Sequence, residues 1–324
     1  MVIDYHLQQV KGLNMEKGDR PRNMRILLSA LLVLAFVTVL SCEPSSSTSK
    51  KSIVVTYPVL GSIVKELVGD KANVIVSVPN GLDPHEWEPS AKDIERINKA
   101  DLVIENGIGL EAGMQKTLRA ARRSGVKFFT ASDYIAVRHV GPGEGIPSGD
   151  PDQVIGAPDP HLWMDPLVIK SVVSALAPEL MKVLNLDVTS QASDLENRLD
   201  KLNAEVADTL SVIPPENKKL VTGHESMGYF AQRYGFKLVG MIIPSLSTQA
   251  EVSAADLATL KKAIGESHVK AIFTELGTSP AVANAIGVET GVKVVELTTH
   301  VIPGDGSYFT FLRNVVTVIT NALK

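Results

Sequence analysis

From Ile53 onward the sequence alternates short β-branched runs with longer stretches whose apolar residues recur at helical spacing. Strand-like runs lie at 53–58 (IVVTYP), 73–79 (NVIVSVP), 101–105 (DLVIE) and 127–129 (KFF), with helical patterns near 63–68, 91–100 and 110–124. A second series follows, with strands at 219–222, 237–241, 269–274 and 292–297. Its helices fall at 227–234, 252–266, from 281, and at 309–323. Parallel neighbours need a crossover of a dozen or more residues, and a helix supplies it, so this alternation predicts βα units on a mostly parallel sheet. Between the two series lie a helix at 166–184 and a long charged segment at 191–213. The second carries Leu195, Leu199, Leu202, Val206 and Leu210 on one face and is stopped by Pro214-Pro215. The expected architecture is α/β: two βα lobes, each with a mostly parallel sheet flanked by helices, joined by one long connecting helix.

A chain of 324 residues accommodates two such units. The expected boundaries are an N-terminal lobe at 52–185, a connecting helix at 186–215 and a C-terminal lobe at 216–324. Ahead of them, Met24-Arg25 opens an apolar run that ends in Val39-Leu40-Ser41-Cys42. A charged start, an apolar stretch and small residues before the cut describe a signal peptide at 24–41, too short for a membrane span. Val-Leu-Ser-Cys resembles the bacterial lipobox, which makes Cys42 the lipidation site; an uncleaved anchor helix or an ordinary signal peptide are the alternatives. Residues 1–23 are polar and are expected to be a mis-assigned leader. Residues 42–51 form a Ser-rich flexible tether.

The single cysteine rules out an internal disulfide, and a net charge of -4 argues against nucleic acid as a partner. Aromatic content of 5% makes stacking platforms for sugars or bases an unlikely main business. Residues 140–158 are rich in Gly, Pro and Asp and are expected to form a surface loop.

Of the seven histidines, His6 falls in the leader, His139 beside the loop and His268 near a helix end. His85, His161, His224 and His300 each follow a predicted strand or turn. In open α/β sheets, ligands are held by the loops beyond the carboxyl ends of the strands. Four imidazoles converging from such loops would fill a tetrahedral Zn²⁺ site. Their dispersal makes spacing alone weak support. Local chemistry adds to it, because His85 and His161 sit in the same pentapeptide pattern, Asp83-Pro84-His85-Glu86-Trp87 and Asp159-Pro160-His161-Leu162-Trp163. Proline fixes its own φ and pushes the preceding residue extended, which stiffens the backbone before the ligand. Asp83, Asp159 and Glu225 are placed to accept the other ring N–H of their neighbouring histidines. Trp87 and Trp163 are expected to anchor the loops by packing.

Taken together, NGLDPHEWEPSAKDIERINKADLVIENGIGLE, PDPHLWMDP, VTGHESMGYFAQRYGFKLVG, SLSTQAEVSAADLATL and the IFTEL and VETGVKVVEL stretches resemble the zinc- and manganese-binding substrate-binding lipoproteins of bacterial ABC transporters. The resemblance spans essentially all of the chain from Ile53. It implies a monomer held at the cell envelope through a lipid anchor. There it captures a divalent metal outside the cytoplasmic membrane and delivers it to a membrane permease with its ATPase. It implies His85 and His161 as the ligands of the first lobe. The third family position is His or Glu, and register to Gly228-Tyr229-Phe230 puts His224 there. The fourth is usually Asp; here His300 stands at the matching place, with Asp305 as the alternative. A nitrogen-rich set favours Zn²⁺, with Mn²⁺, the harder ion, as the alternative cargo. Zinc members often carry a His-rich loop near 140–158, and this chain does not.

The rival class is a zinc hydrolase. A catalytic zinc keeps a position open for water, whereas four protein ligands close the site. His224-Glu225 does not begin an HExxH motif, since residue 228 is Gly, and no Gly-x-Ser-x-Gly elbow or P-loop is present. The chain is therefore expected not to be an enzyme. A surface adhesin is a third class, for which no residue pattern speaks.

Overall fold

A computed structural model of the chain describes residues 50–144 and 155–324. The expected signal peptide at 24–41, Cys42 and most of the 140–158 loop lie outside these residues. Among the described residues, no helix is long and apolar enough to cross a membrane.

Strands β1 (Lys51–Val55), β2 (Ala72–Val76), β3 (Leu102–Glu105) and β4 (Phe128–Thr130) form one parallel sheet in the order β2-β1-β3-β4. The crossovers carry helices α1 (Pro58–Val68), α2 (Ala91–Asn98) and α3 (Gln115–Arg123). Ile53, Val54 and Val55 of β1 and Leu102, Val103 and Ile104 of β3 are all fully buried, as strands covered on both faces must be. Local chemistry sets the helix starts. Ser90 and Asp93 form a capping box on α2, and Pro58 occupies the first turn of α1, where a missing N–H costs nothing.

Two long helices follow. α4 (Pro166–Leu184) begins where the Asp165 side chain accepts from the Leu167 N–H, and ends at Asn185 in the left-handed region. α5 (Thr189–Leu210) is the expected connector, and its Ala192, Leu195, Leu199, Leu202, Val206 and Leu210 form one buried face. That face packs on α4, on α1 and on the last helix, α9 (Tyr308–Leu323). The connector is therefore clamped along its length between other helices.

The second lobe contains β5 (Lys219–Thr222), β6 (Lys237–Met241), β7 (Ala271–Thr274) and β8 (Lys293–Glu296), with α6 (Gly228–Tyr234), α7 (Ala254–Ser267) and α8 (Pro280–Thr290). Its strands form two parallel pairs, β5 with β6 and β7 with β8, and β5 lies beside β7. The seam between the pairs is bridged at its carboxyl end by a side chain, as the Gly223 N–H donates to Glu275 Oε1 at 3.3 Å. A separate apolar cluster of Val221, Val239, Leu260, Ile264, Ile272 and Ile286 holds these strands to α7 and α8.

Candidate metal centre

The two Asp-Pro-His stretches fold into the same local turn. Asp83 Oδ1 accepts from the His85 backbone N–H at 2.9 Å, and Asp159 Oδ1 accepts from the His161 backbone N–H at 2.9 Å. An Asp side chain bonding the N–H two residues on is an Asx turn, and the intervening proline stiffens it. The two aspartates then differ. Asp159 Oδ1 also takes the His161 ring at Nδ1, 2.9 Å away, and its Oδ2 accepts from Arg138 Nη1 at 3.0 Å. Asp83 Oδ2 is buried without a hydrogen-bond partner and faces Gly277 of the second lobe.

His224 follows β5 and His300 follows β8, so both hang from strand ends of the second lobe. Their loops are fixed from behind. Thr222 Oγ1 donates to the His224 carbonyl at 2.6 Å, and Trp163 Nε1 reaches across from the first lobe to the Thr299 carbonyl at 2.8 Å. Trp163 is fully buried and touches both His161 and His300, with ring centroids 5.3 and 5.2 Å apart.

The four imidazoles meet. One ring nitrogen of each of His85, His161, His224 and His300 lies within 4.8 Å of the other three, and this is the one such group among the described residues. His161 Nε2 stands 3.4 Å from His85 Nε2 and 3.1 Å from His224 Nε2, while His300 Nε2 is buried with no hydrogen-bond partner. In a tetrahedron with nitrogens about 2.0–2.1 Å from a central Zn²⁺, neighbouring nitrogens stand about 3.4 Å apart. The spacing and the orphaned nitrogen both fit a cation at the middle.

Burial makes the centre a site for neutral imidazoles. It holds His85 and His300 well below the ordinary histidine range, helped by the neighbouring rings. His161 is also lowered, burial outweighing the pull of Asp159. His224 goes the other way. Burial lowers it most, but Glu275, Oε2 of which lies 3.3 Å from His224 Nδ1, together with the more distant Asp83 and Asp159, raises it overall. That contact is within ion-pair distance but outside hydrogen-bond geometry. Asp159 and Glu275 stay ionised despite burial, held low by the groups that donate to them.

A family model described as "ZnuA: Zinc-uptake complex component A periplasmic" matches residues 53–322. The chain belongs to the ZnuA family. The high-affinity zinc uptake system protein ZnuA of Bacillus subtilis (strain 168) is 30% identical over 84% of this chain and 88% of its own length. The manganese ABC transporter substrate-binding lipoprotein PsaA of Streptococcus pneumoniae is 27% identical over 88% and 94%. Among solved structures, the periplasmic zinc binding protein TroA from Treponema pallidum superposes with a TM-score of 0.73 at 26% identity, covering 85% of this chain and 99% of that one. The fold of this ZnuA-family member is thus that of two-lobe periplasmic binding proteins.

Two of the expected site residues stand in surroundings of their own. Asp305 does not approach the cluster of this ZnuA-family chain. It lies at the surface ahead of α9, where Oδ1 accepts from the Ser307 N–H at 3.0 Å and Oδ2 from the Thr310 hydroxyl at 2.6 Å. Its carboxylate is used to start a helix. Glu225 is buried beside His224, its N–H donating to the Ser245 carbonyl at 2.9 Å, and the carboxylate 3.3 Å from His224 Nδ1 is Glu275. Glu275, Arg138 and Thr299 are not flagged by any local motif. The one sequence signal for Glu275 is its place immediately after strand β7, the position from which α/β sheets present functional groups.

Proposed function

We propose that this chain captures Zn²⁺ in the cell envelope and hands it to the membrane permease of an ABC transporter, with His85, His161, His224 and His300 as the four ligands. The observation that carries this reading is the convergence of four buried imidazoles, with Nε2 spacings of 3.4 and 3.1 Å about His161. The B. subtilis relative is named for zinc uptake and supports the same cargo. Manganese, named for the S. pneumoniae relative, is disfavoured by the donor set: Mn²⁺ suits carboxylates and stands lowest in the affinity order for nitrogen sites. Four protein ligands leave no position for a reactive water, which separates capture from hydrolysis.

The same reading places the chain outside the cytoplasmic membrane as a monomer, led by a signal peptide at 24–41 and tethered by lipid on Cys42. Its lobes are 52–185 and 216–324, joined through 186–215. Equilibrium dialysis of the purified protein against Zn²⁺ and Mn²⁺, with metal analysis of the retained fraction, tests the cargo. One zinc per chain, retained in excess manganese, is expected. A chain that retains neither metal would sink the reading, and preferential retention of manganese would replace zinc with the alternative cargo.

A further inference from the structure

We propose that Glu275 is the positioning residue of the second-lobe half of the centre, fixing the rings of His224 and His300 together and supplying a counter-charge to the captured cation. This rests on the four-histidine reading of the site, and the structure carries it in three steps.

The first is the hydrogen-bond direction. Glu275 Oε2 accepts from the Ser226 hydroxyl at 2.5 Å and from the Thr299 hydroxyl at 2.8 Å, while Oε1 accepts from the Gly223 N–H at 3.3 Å. A carboxyl group surrounded only by donors is an ionised acceptor. Thr299 has one hydroxyl proton, and it goes to Glu275. Thr299 Oγ1 also lies 2.9 Å from His300 Nδ1, so that contact must be made by an Nδ1–H donating to the hydroxyl oxygen. His300 is thereby held with its Nε2 lone pair bare, and this is the buried nitrogen that has no partner. One carboxylate faces the ring of His224 across 3.3 Å and holds that of His300 through a hydroxyl.

The second step is charge. Four neutral imidazoles around a dication leave its full charge buried, and an uncompensated buried charge is costly. On the first-lobe side, Asp159 is already paired with Arg138 at 3.0 Å. Among the described residues, Glu275 is ion-paired with His224 alone. With no lysine or arginine paired to it among the described residues, its negative charge is available to the metal. With four imidazoles as the inner donors, Glu275 supplies a negative charge from one layer further out.

The third step is connection. Gly223 and Ser226 flank His224 in the loop after β5, and Thr299 precedes His300 in the loop after β8. Glu275, at the end of β7 between them, ties both ligand loops to one atom pair. The two second-lobe ligands should therefore respond as a unit.

The test uses the ring ¹⁵N signals of the histidines in metal-free protein, together with zinc affinity, in wild type, Glu275→Gln and Thr299→Val. In wild type, His300 is expected as the Nδ1–H form. Thr299→Val removes the hydroxyl link without removing the charge, and should release the His300 ring alone while His161, held by Asp159, is unmoved. Glu275→Gln keeps the shape and should alter both His224 and His300. Zinc affinity should fall about 10–100-fold in Glu275→Gln and less in Thr299→Val, the range that loss of an outer partner of a ligand typically brings. Unchanged ring signals in both variants, or zinc affinity in Glu275→Gln equal to wild type, would overturn the proposal. If wild type failed to take up zinc, the function proposed above would fall, and the metal-free ring signals would still decide the role of Glu275.

Discussion

The Nε2 atoms of His161 and His224, one from each lobe, stand 3.1 Å apart in a centre closed to solvent. Behind each ring a carboxylate faces Nδ1: Asp159 at 2.9 Å and Glu275 at 3.3 Å. Two bare Nε2 lone pairs at this distance would repel, so a ring hydrogen or a cation must lie between them. In the metal-free protein a ring hydrogen on one of the two Nε2 atoms serves. The cation takes that place when it arrives.

Zinc binding should expel protons increasingly as pH falls, since ligating imidazoles must be unprotonated. Calorimetric titrations in buffers of different ionisation enthalpy would measure it. The observed enthalpy should change with buffer in the sense of proton release, and should do so less in Glu275→Gln, where His224 is no longer raised. An enthalpy independent of buffer at every pH in wild type would refute proton competition at the site. Affinity should weaken as pH falls, because protons then compete for the same nitrogens.

The parts of this centre differ in how far the chain discloses them. β6, β5 and α4 are legible because alternation, Pro166 and the Pro214-Pro215 stop are local signals, and local physics decides those elements. The turns at His85 and His161 are legible for the same reason, as Asp-Pro-His specifies its own Asx turn. His224 and His300 have no such flag and emerge only from register with a family. Glu275 and Arg138 are hidden because each acts on a ligand far away in the chain. A carboxylate two residues from a histidine can be read off, whereas one that arrives on another strand cannot. The same limit explains Asp305, which looks like a ligand in sequence and is consumed by a helix start in space.

His300 and Asp305 can be separated by substitution. His300→Ala removes a ring whose Nε2 faces the centre and should weaken zinc binding by orders of magnitude with the fold retained. Asp305→Ala should leave affinity unchanged and lower stability only slightly, because Ser307 supplies the N-cap and Asp305 only braces it. His300→Asp adds a discriminating case: a carboxylate in place of one imidazole should narrow the preference for Zn²⁺ over Mn²⁺. Competition dialysis and thermal unfolding read all three. Lost zinc affinity in Asp305→Ala with His300→Ala intact would exchange their roles.

Glu111 gives a pH dependence that is independent of the metal. It is buried below the sheet ends, where Oε1 accepts from the Asn106 N–H at 2.7 Å and the Thr56 hydroxyl at 2.8 Å. Burial dominates these bonds and pushes its carboxyl up to about 7. The folded state therefore holds a proton that the unfolded chain releases near the ordinary glutamate value of about 4.3. Its contribution to stability is full below that value and is lost as pH rises through about 7. Glu111→Gln cannot titrate, so its stability relative to wild type should improve from pH 5 to about pH 7, by about 1.4 kcal/mol per unit, and level off above that. Denaturant unfolding at several pH values in the presence of chelator would show it, and a difference that stays flat with pH would remove the assignment.

Gly228 sets two familiar effects against each other. It lies in the first turn of α6, where replacing glycine with alanine ordinarily stabilises a helix by up to about 1 kcal/mol. A Cβ at this position, however, would stand 2.2 Å from Asp159 Oδ2 and 2.3 Å from Arg138 Nη1. Both atoms belong to the buried pair that holds the His161 ring, and the Arg138 N–H is itself fixed by the Tyr229 hydroxyl at 2.9 Å. Breaking a buried ion pair costs about 3–5 kcal/mol, several times the helix gain, so the sign of the substitution should reverse. Gly228→Ala should lower the unfolding midpoint and, by tilting His161 away from its Asp159 partner, also weaken zinc binding. A variant more stable than wild type with undiminished affinity would show that the pair can move aside freely, and that Asp159 does not hold the ligand.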